Sequence, residues 1–88
     1  MNLGLDPDDS RTLPVQIAAA IREMVATGAL LPGEQIDSTR TLSAQLGVSR
    51  GTVVTAFDQL IAEGYLIAST GSGTRINPRL HPTKAPTT

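Results

Sequence analysis

The sequence predicts an α+β fold, mainly α, built from three helices and a small β-hairpin. Three observations carry this. Apolar residues recur at helical spacing in three segments, each closed by a glycine. The second and third segments are separated only by Gly47-Val48-Ser49. Near the C-terminal end, two short runs of strand-forming residues flank Ser69-Thr70-Gly71-Ser72-Gly73.

Residues 1–12 are polar, with Asp6-Pro7-Asp8-Asp9 at their centre, and read as a flexible arm. Leu13-Pro14 opens the first helix: Thr12 or a neighbour can cap it, and Pro14 fits a first turn, where its missing N–H costs nothing. Ile17, Ile21, Met24 and Val25 form one stripe down to Gly28. Pro32-Gly33 cannot be helical, so this stretch reads as a turn and a short extended piece ending at Ile36. Ser38 caps a second helix over Thr39–Leu46, with Leu42 and Leu46 on one face, and Gly47 stops it. Ser49 caps a third, from Arg50 to about Glu63, striped by Val53, Phe57, Leu60 and Ile61. Gly64 closes it in the left-handed position that glycine fills cheaply. Tyr65–Ala68 and Thr74–Asn77 are the expected strands of the hairpin. Residues 78–88, with three prolines and three threonines, read as a linker or tail, leaving 13–77 as the domain.

Eighty-eight residues with one Phe, one Tyr and no Trp must build their core from aliphatic side chains. A chain this short buries only about 60% of the surface that it exposes when unfolded. It is too short for a nucleotide-binding α/β domain or a barrel enzyme. With no cysteine, disulfides, cysteine-ligated zinc and thiol chemistry drop out. No apolar run approaches the roughly 20 residues that span a bilayer. Met1–Arg11 carries three aspartates and no apolar block, unlike a signal or transit peptide. A soluble, cytoplasmic protein with no membrane partner is expected.

Nothing in the chain supports catalysis. Asp8 and Asp9 lie on the arm, which cannot hold acid–base geometry. His81 stands alone in the tail and makes no metal site, and Lys84, the single lysine, is also in the tail. Gly71-Ser72-Gly73-Thr74 lacks the Lys and the helix of a phosphate-cradling loop. No enzyme activity, metal or cofactor is expected within this chain.

The net charge of −1 is unevenly spread. Residues 1–37 hold six acids against Arg11 and Arg22, whereas residues 38–88 hold five basic residues against Asp58 and Glu63. Between Ser38 and Phe57 there is no acid at all. Such a stretch, rich in Ser and Thr and carrying Arg40 and Arg50, suits a surface that faces phosphates.

Thr39 to Asp58 has the skeleton of a helix-turn-helix. Leu42 and Leu46 must meet Val53 and Ala56, Val48 plugs the corner, and Gly47 supplies the turn. The opposite side of the third helix then presents Gly51, Thr52, Thr55 and Gln59, with Arg50 at the leading end beside Ser49. Small polar groups behind an arginine are what a helix needs to enter a major groove. The N–H groups at the caps Ser38 and Ser49 attract phosphate oxygens. The hairpin tip Gly71-Ser72-Gly73, with Arg75 close behind, can lie along the backbone or reach the adjacent minor groove. The expected partner is double-stranded DNA, with residues 50–63 in the major groove and the wing, residues 69–75, at the neighbouring groove. Each residue also has a plainer role: the serines are caps first, Arg40 can be a surface residue, and Arg50 can pair with Asp58 or Asp37. The competing reading is a winged helix that only docks protein or dimerises.

Several motifs in order also resemble the GntR family of winged helix-turn-helix domains. They are Leu13-Pro14 with Gln16-Ile17, Gly28-Ala29-Leu30-Leu31-Pro32-Gly33-Glu34, Ser38-Thr39-Arg40-Thr41-Leu42, and Leu46-Gly47-Val48-Ser49-Arg50-Gly51-Thr52-Val53. Leu60-Ile61-Ala62-Glu63-Gly64-Tyr65-Leu66 continues the series, and the likeness covers about residues 13–77. Val53-Val54 before Ala56-Phe57, Glu63-Gly64-Tyr65-Leu66 and the Gly71-Ser72-Gly73-Thr74 wing resemble the MocR branch, to which pyridoxine-biosynthesis regulators belong. Ser43 departs from the family's usual Ala, and Val54 from the groove-facing Arg of other branches. The resemblance implies DNA contacts at Ser49, Arg50, Gly51, Thr52, Arg40 and the wing tip, in a bacterial transcription regulator. It also implies a pyridoxal phosphate domain beyond this chain, which dimerises the whole protein on paired half-sites. The isolated domain is then a monomer or weak dimer.

Overall fold

Thr12 occupies the N-cap of the first helix, α1 (Leu13–Thr27), in extended backbone, but its side chain makes no cap hydrogen bond. The expected hydroxyl cap is replaced by a backbone bond from Gln16 N to Thr12 O and by Pro14 in the first turn. The computed structural model describes residues 5, 8, 10–69 and 73–79. The remaining elements are β1 (Gln35–Ile36), α2 (Thr39–Leu46), α3 (Arg50–Ala62), β2 (Leu66–Ser69) and β3 (Gly73–Ile76).

Ile17, Ile21 and Val25 on α1 are buried as their spacing requires, and Met24 packs half-buried beside them. The same face also buries Gln16, which the apolar pattern could not anticipate. Its side-chain amide donates 3.0 Å to Arg11 O, so the polar group enters the protein already satisfied. Leu5, in the segment read as a flexible arm, packs partly buried against the core.

The turn between α2 and α3 is closed by backbone geometry. Gly47 has φ +69, and Gly47 N and Val48 N both donate to Ser43 O. Val48 and Leu46 pack half-buried against the core cluster that includes Leu42, Val53 and Ala56, as a helix-turn-helix corner demands. On α3 the buried stripe is Val53, Ala56, Phe57 and Leu60. Ile61, which the spacing had placed in that stripe, is 39% exposed. At 100° per residue the stripe centres on Val53 and Leu60, and Ile61 falls on its flank while Ala56 takes the inner place.

The strands begin and end one residue away from their expected positions. Tyr65 N donates to Leu60 O and so finishes α3 rather than starting β2. Asn77 clamps the same corner: its N–H donates to Tyr65 O and its Nδ2 to Gly64 O. The hairpin is not alone. β1 pairs antiparallel with β3, Gln35 opposite Arg75 and Ile36 opposite Thr74, giving a three-stranded sheet in the order β1-β3-β2. Two residues carry no period, so this pairing was invisible in the sequence. Ile36, Leu66 and Ile76 turn inward and close the core against the helices.

Candidate nucleic-acid interface

Both helices of the corner start with the same four-residue device. Ser38 Oγ accepts from Thr41 N at 3.1 Å, and Ser49 Oγ accepts from Thr52 N at 3.2 Å. In each, the threonine three residues on bonds the serine hydroxyl, at 3.0 Å for Ser38–Thr41 and 2.8 Å for Ser49–Thr52. A capping box ordinarily carries Glu at that third position. A neutral Thr caps without adding charge, and neither helix has an acid in its first turn. The positive ends of both helix dipoles are left for an anion from outside. The serine caps stood out in the sequence, but their threonine partners did not. The signal was present as Ser-x-x-Thr at 38–41 and again at 49–52.

Arg50 joins the two helix starts. Its Nε donates to Thr39 Oγ1 at 3.4 Å, bringing the first turn of α3 against the first turn of α2. Ser38, Arg40, Ser49 and Arg50 are all exposed. Ser43 Oγ donates 2.8 Å to Arg40 O and steadies the α2 turn from which Arg40 projects. Gly51 is exposed, with open space where a Cβ would stand. Thr55 is exposed, its hydroxyl donating 2.9 Å to Gly51 O.

The expected face is modified in two places. Thr52 is half-buried and its hydroxyl belongs to the Ser49 cap, so it shapes the helix start. Gln59 Nε2 donates 2.7 Å to Glu63 Oε2. Glu63 in turn holds Arg22 of α1 in a two-bond pair, at 2.8 Å from Nε and 3.1 Å from Nη2. Hydrogen bonds from Arg22 and then Gln59 pull the Glu63 carboxyl below its ordinary value, and the same bond raises Arg22. This carboxylate is therefore already matched by a cation. Asp58, exposed further along α3, ends the acid-free run.

The wing is placed less simply. Gly71 and Ser72 lie outside the described residues, as do His81 and Lys84. Gly73 starts β3 opposite Ser69 with φ +85. Arg75 sits in the middle strand, half-buried, and its Nη1 donates 3.2 Å to Gly33 O. It braces the turn before β1.

Among the described residues no three His, Cys, Asp or Glu side chains stand where a metal could be held. No described helix is long and apolar enough to cross a membrane. The described residues include no lysine, so they do not fit the amine that a pyridoxal phosphate site uses.

Comparison with known proteins agrees with this geometry. The family model of bacterial regulatory proteins, gntR family, matches residues 13–76. The chain is 54% identical over 79 residues to the HTH-type pyridoxine biosynthesis transcriptional regulator PdxR of Corynebacterium glutamicum, covering 90% of this chain and 17% of that protein. It is 40% identical over 72 residues to the probable rhizopine catabolism regulatory protein MocR of Rhizobium meliloti, covering 82% of this chain and 15% of the relative. The chain thus spans about a sixth of the length of these curated relatives. Among solved structures, YtrA from Sulfolobus acidocaldarius, a GntR-family transcription factor, superposes with TM-score 0.83 at 29% identity, covering 89% of this chain and 82% of YtrA. The DNA-binding domain of AraR in complex with operator ORX1 gives TM-score 0.74 at 29% identity, covering 84% of this chain and 92% of that one. Three helices with a small antiparallel sheet in this order form a winged helix-turn-helix.

Proposed function

The chain belongs to the gntR family of bacterial regulatory proteins, and on that premise we propose that it is the sequence-specific DNA-binding domain of a transcription regulator. One observation carries the reading. The Arg50–Thr39 hydrogen bond unites two acid-free, serine-capped helix starts into a single exposed surface. α3 enters the major groove by its N-terminal end, where the missing Cβ of Gly51 lets the duplex come close. Arg50 reaches base edges or the adjacent phosphate, and Arg40 with the N–H groups at Ser38 and Ser49 holds the backbone. Thr55 lies one turn further on the same face. The wing, residues 69–75, meets the neighbouring groove, with Gly71-Ser72-Gly73 as its tip. The complexes of AraR with operator DNA support this arrangement.

The domain works on DNA in the bacterial cytoplasm as one arm of a larger, dimeric protein that reads paired half-sites. Resemblance to pyridoxine-biosynthesis regulators supports a pyridoxal phosphate domain in that whole protein, outside the residues described here. With few cations at the surface, few counterions are released. A single domain binds weakly, and tethering two of them tightens binding by effective concentration.

The test is binding to a duplex from the gene's own upstream region across a salt series, for the chain and for Arg50→Glu. The chain is expected to bind at low salt and weaken as salt rises, and Arg50→Glu to lose binding with its helical signal intact. Absence of binding by both at low salt, with both folded, favours the protein-docking or dimerisation reading instead.

A further inference from the structure

On the outer side of α3, most groups able to hydrogen-bond a base edge are already engaged. The Thr55 hydroxyl donates back to Gly51 O, the Ser49 and Thr52 hydroxyls bond each other, and the Gln59 amide donates to Glu63. Gly51 has no side chain to offer. Beside Arg50 this surface instead presents carbon, with the exposed Asp58 one turn further on. Val54 is 37% exposed, follows Arg50 by one helical turn, and lies outside the core cluster. With its hydroxyl turned to the helix, Thr55 also presents mainly its methyl group.

A β-branched residue lowers helix propensity, and Val54 stands outside the core cluster whose packing would offset that loss. A single exposed valine is ordinary on most surfaces. Here it stands beside Arg50 and Gly51, on the side of the helix that the proposed function directs into the groove. The base edges of the major groove display one apolar group, the C5-methyl of thymine. We propose that Val54 reads a thymine C5-methyl and sets the base preference of the middle of α3. Val54 lies about 6 Å along the helix axis from Arg50. The thymine is therefore expected within about two base-pair steps of the base that Arg50 meets. This inference rests on the DNA-binding reading and adds the base class recognised.

Duplexes enriched by the chain from a random library are the probe. Each thymine is replaced in turn by deoxyuridine, which removes the methyl and keeps every hydrogen-bonding group. At one thymine per half-site, near the base whose recognition is lost in Arg50→Ala, the replacement is expected to weaken binding about fourfold. Other thymines are expected to be indifferent. Val54→Ala, a surface change expected to leave the fold intact and its thermal unfolding temperature no lower, should bind the thymine duplex as weakly as the unmodified chain binds the deoxyuridine duplex. It should no longer distinguish the two. The inference is overturned if the chain binds its enriched duplexes but tolerates deoxyuridine at every thymine. It is equally overturned if those duplexes share no thymine, or if Val54→Ala keeps the fourfold preference. Failure of the chain to enrich any duplex removes the DNA-binding reading itself, and this inference with it.

Discussion

Arg50 and Gln16 are the two residues whose neighbours change what they mean. Arg50 is exposed and holds Thr39 by a long 3.4 Å bond, so its removal costs the fold little. In a groove the same guanidinium has a bidentate partner in guanine. Arg50→Ala is therefore expected to leave urea unfolding nearly unchanged and to weaken specific binding by about 1–3 kcal/mol, as read in titrations at fixed salt. Gln16 behaves in the opposite way. It is buried, and its amide satisfies Arg11 O. Gln16→Ala removes that hydrogen bond and is expected to lose about 0.5–1.5 kcal/mol in chemical unfolding. Ser38, Ser49 and Arg50 could be singled out from sequence because caps and leading arginines are local features. The burial of Gln16 could not be foreseen, because its partner is a carbonyl on a segment with no pattern.

At the scale of the element, the two Ser-x-x-Thr starts separate stability from binding. An acid at the third position would strengthen the cap and fill the dipole, but would also set a carboxylate against the phosphates. Thr41 is exposed at that position of α2. Thr41→Glu is expected to stabilise the domain by about 0.3–1 kcal/mol while weakening duplex binding, most strongly at low salt. Thermal unfolding and a salt series on one preparation read both effects. A variant that gains stability and keeps its affinity would show that the α2 end lies away from the backbone. The corner itself depends on Gly47, whose φ of +69 suits glycine and whose missing Cβ faces open space. Gly47→Ala meets no clash, so its expected loss of about 1–2 kcal/mol is backbone strain alone. The helices and their caps were legible in the sequence within a residue. The exposure of Ile61 was not, because a residue on the flank of a stripe goes in or out according to what packs beside it.

For the molecule as a whole, the Arg22–Glu63 pair ties α1 to the end of α3, and with it the base of the wing through Gly64 and Asn77. The pair is about one-third exposed on each side, so it contributes no more than about 1 kcal/mol. Because the folded state lowers the Glu63 carboxyl, that contribution is complete above the ordinary glutamate range and disappears as pH falls through the lowered value. The raised Arg22 keeps its proton throughout that window. Between neutral pH and pH of about 3, the chain should lose up to about 1 kcal/mol more stability than Glu63→Gln, measured by denaturant unfolding at each pH.

By itself the sequence determined the three helices, their caps, the glycine corner and the acid-free face. Each depends on residues within a turn or two of one another, where spacing and capping chemistry act directly. Tertiary structure alone decided the rest. It paired β1 with β3, moved the strand ends, drew Arg75 toward the turn before β1, buried Gln16 and brought Arg50 against Thr39. Those outcomes join segments far apart in the chain. They depend on which surfaces remain to be covered once the helices have packed, and no local period records that choice.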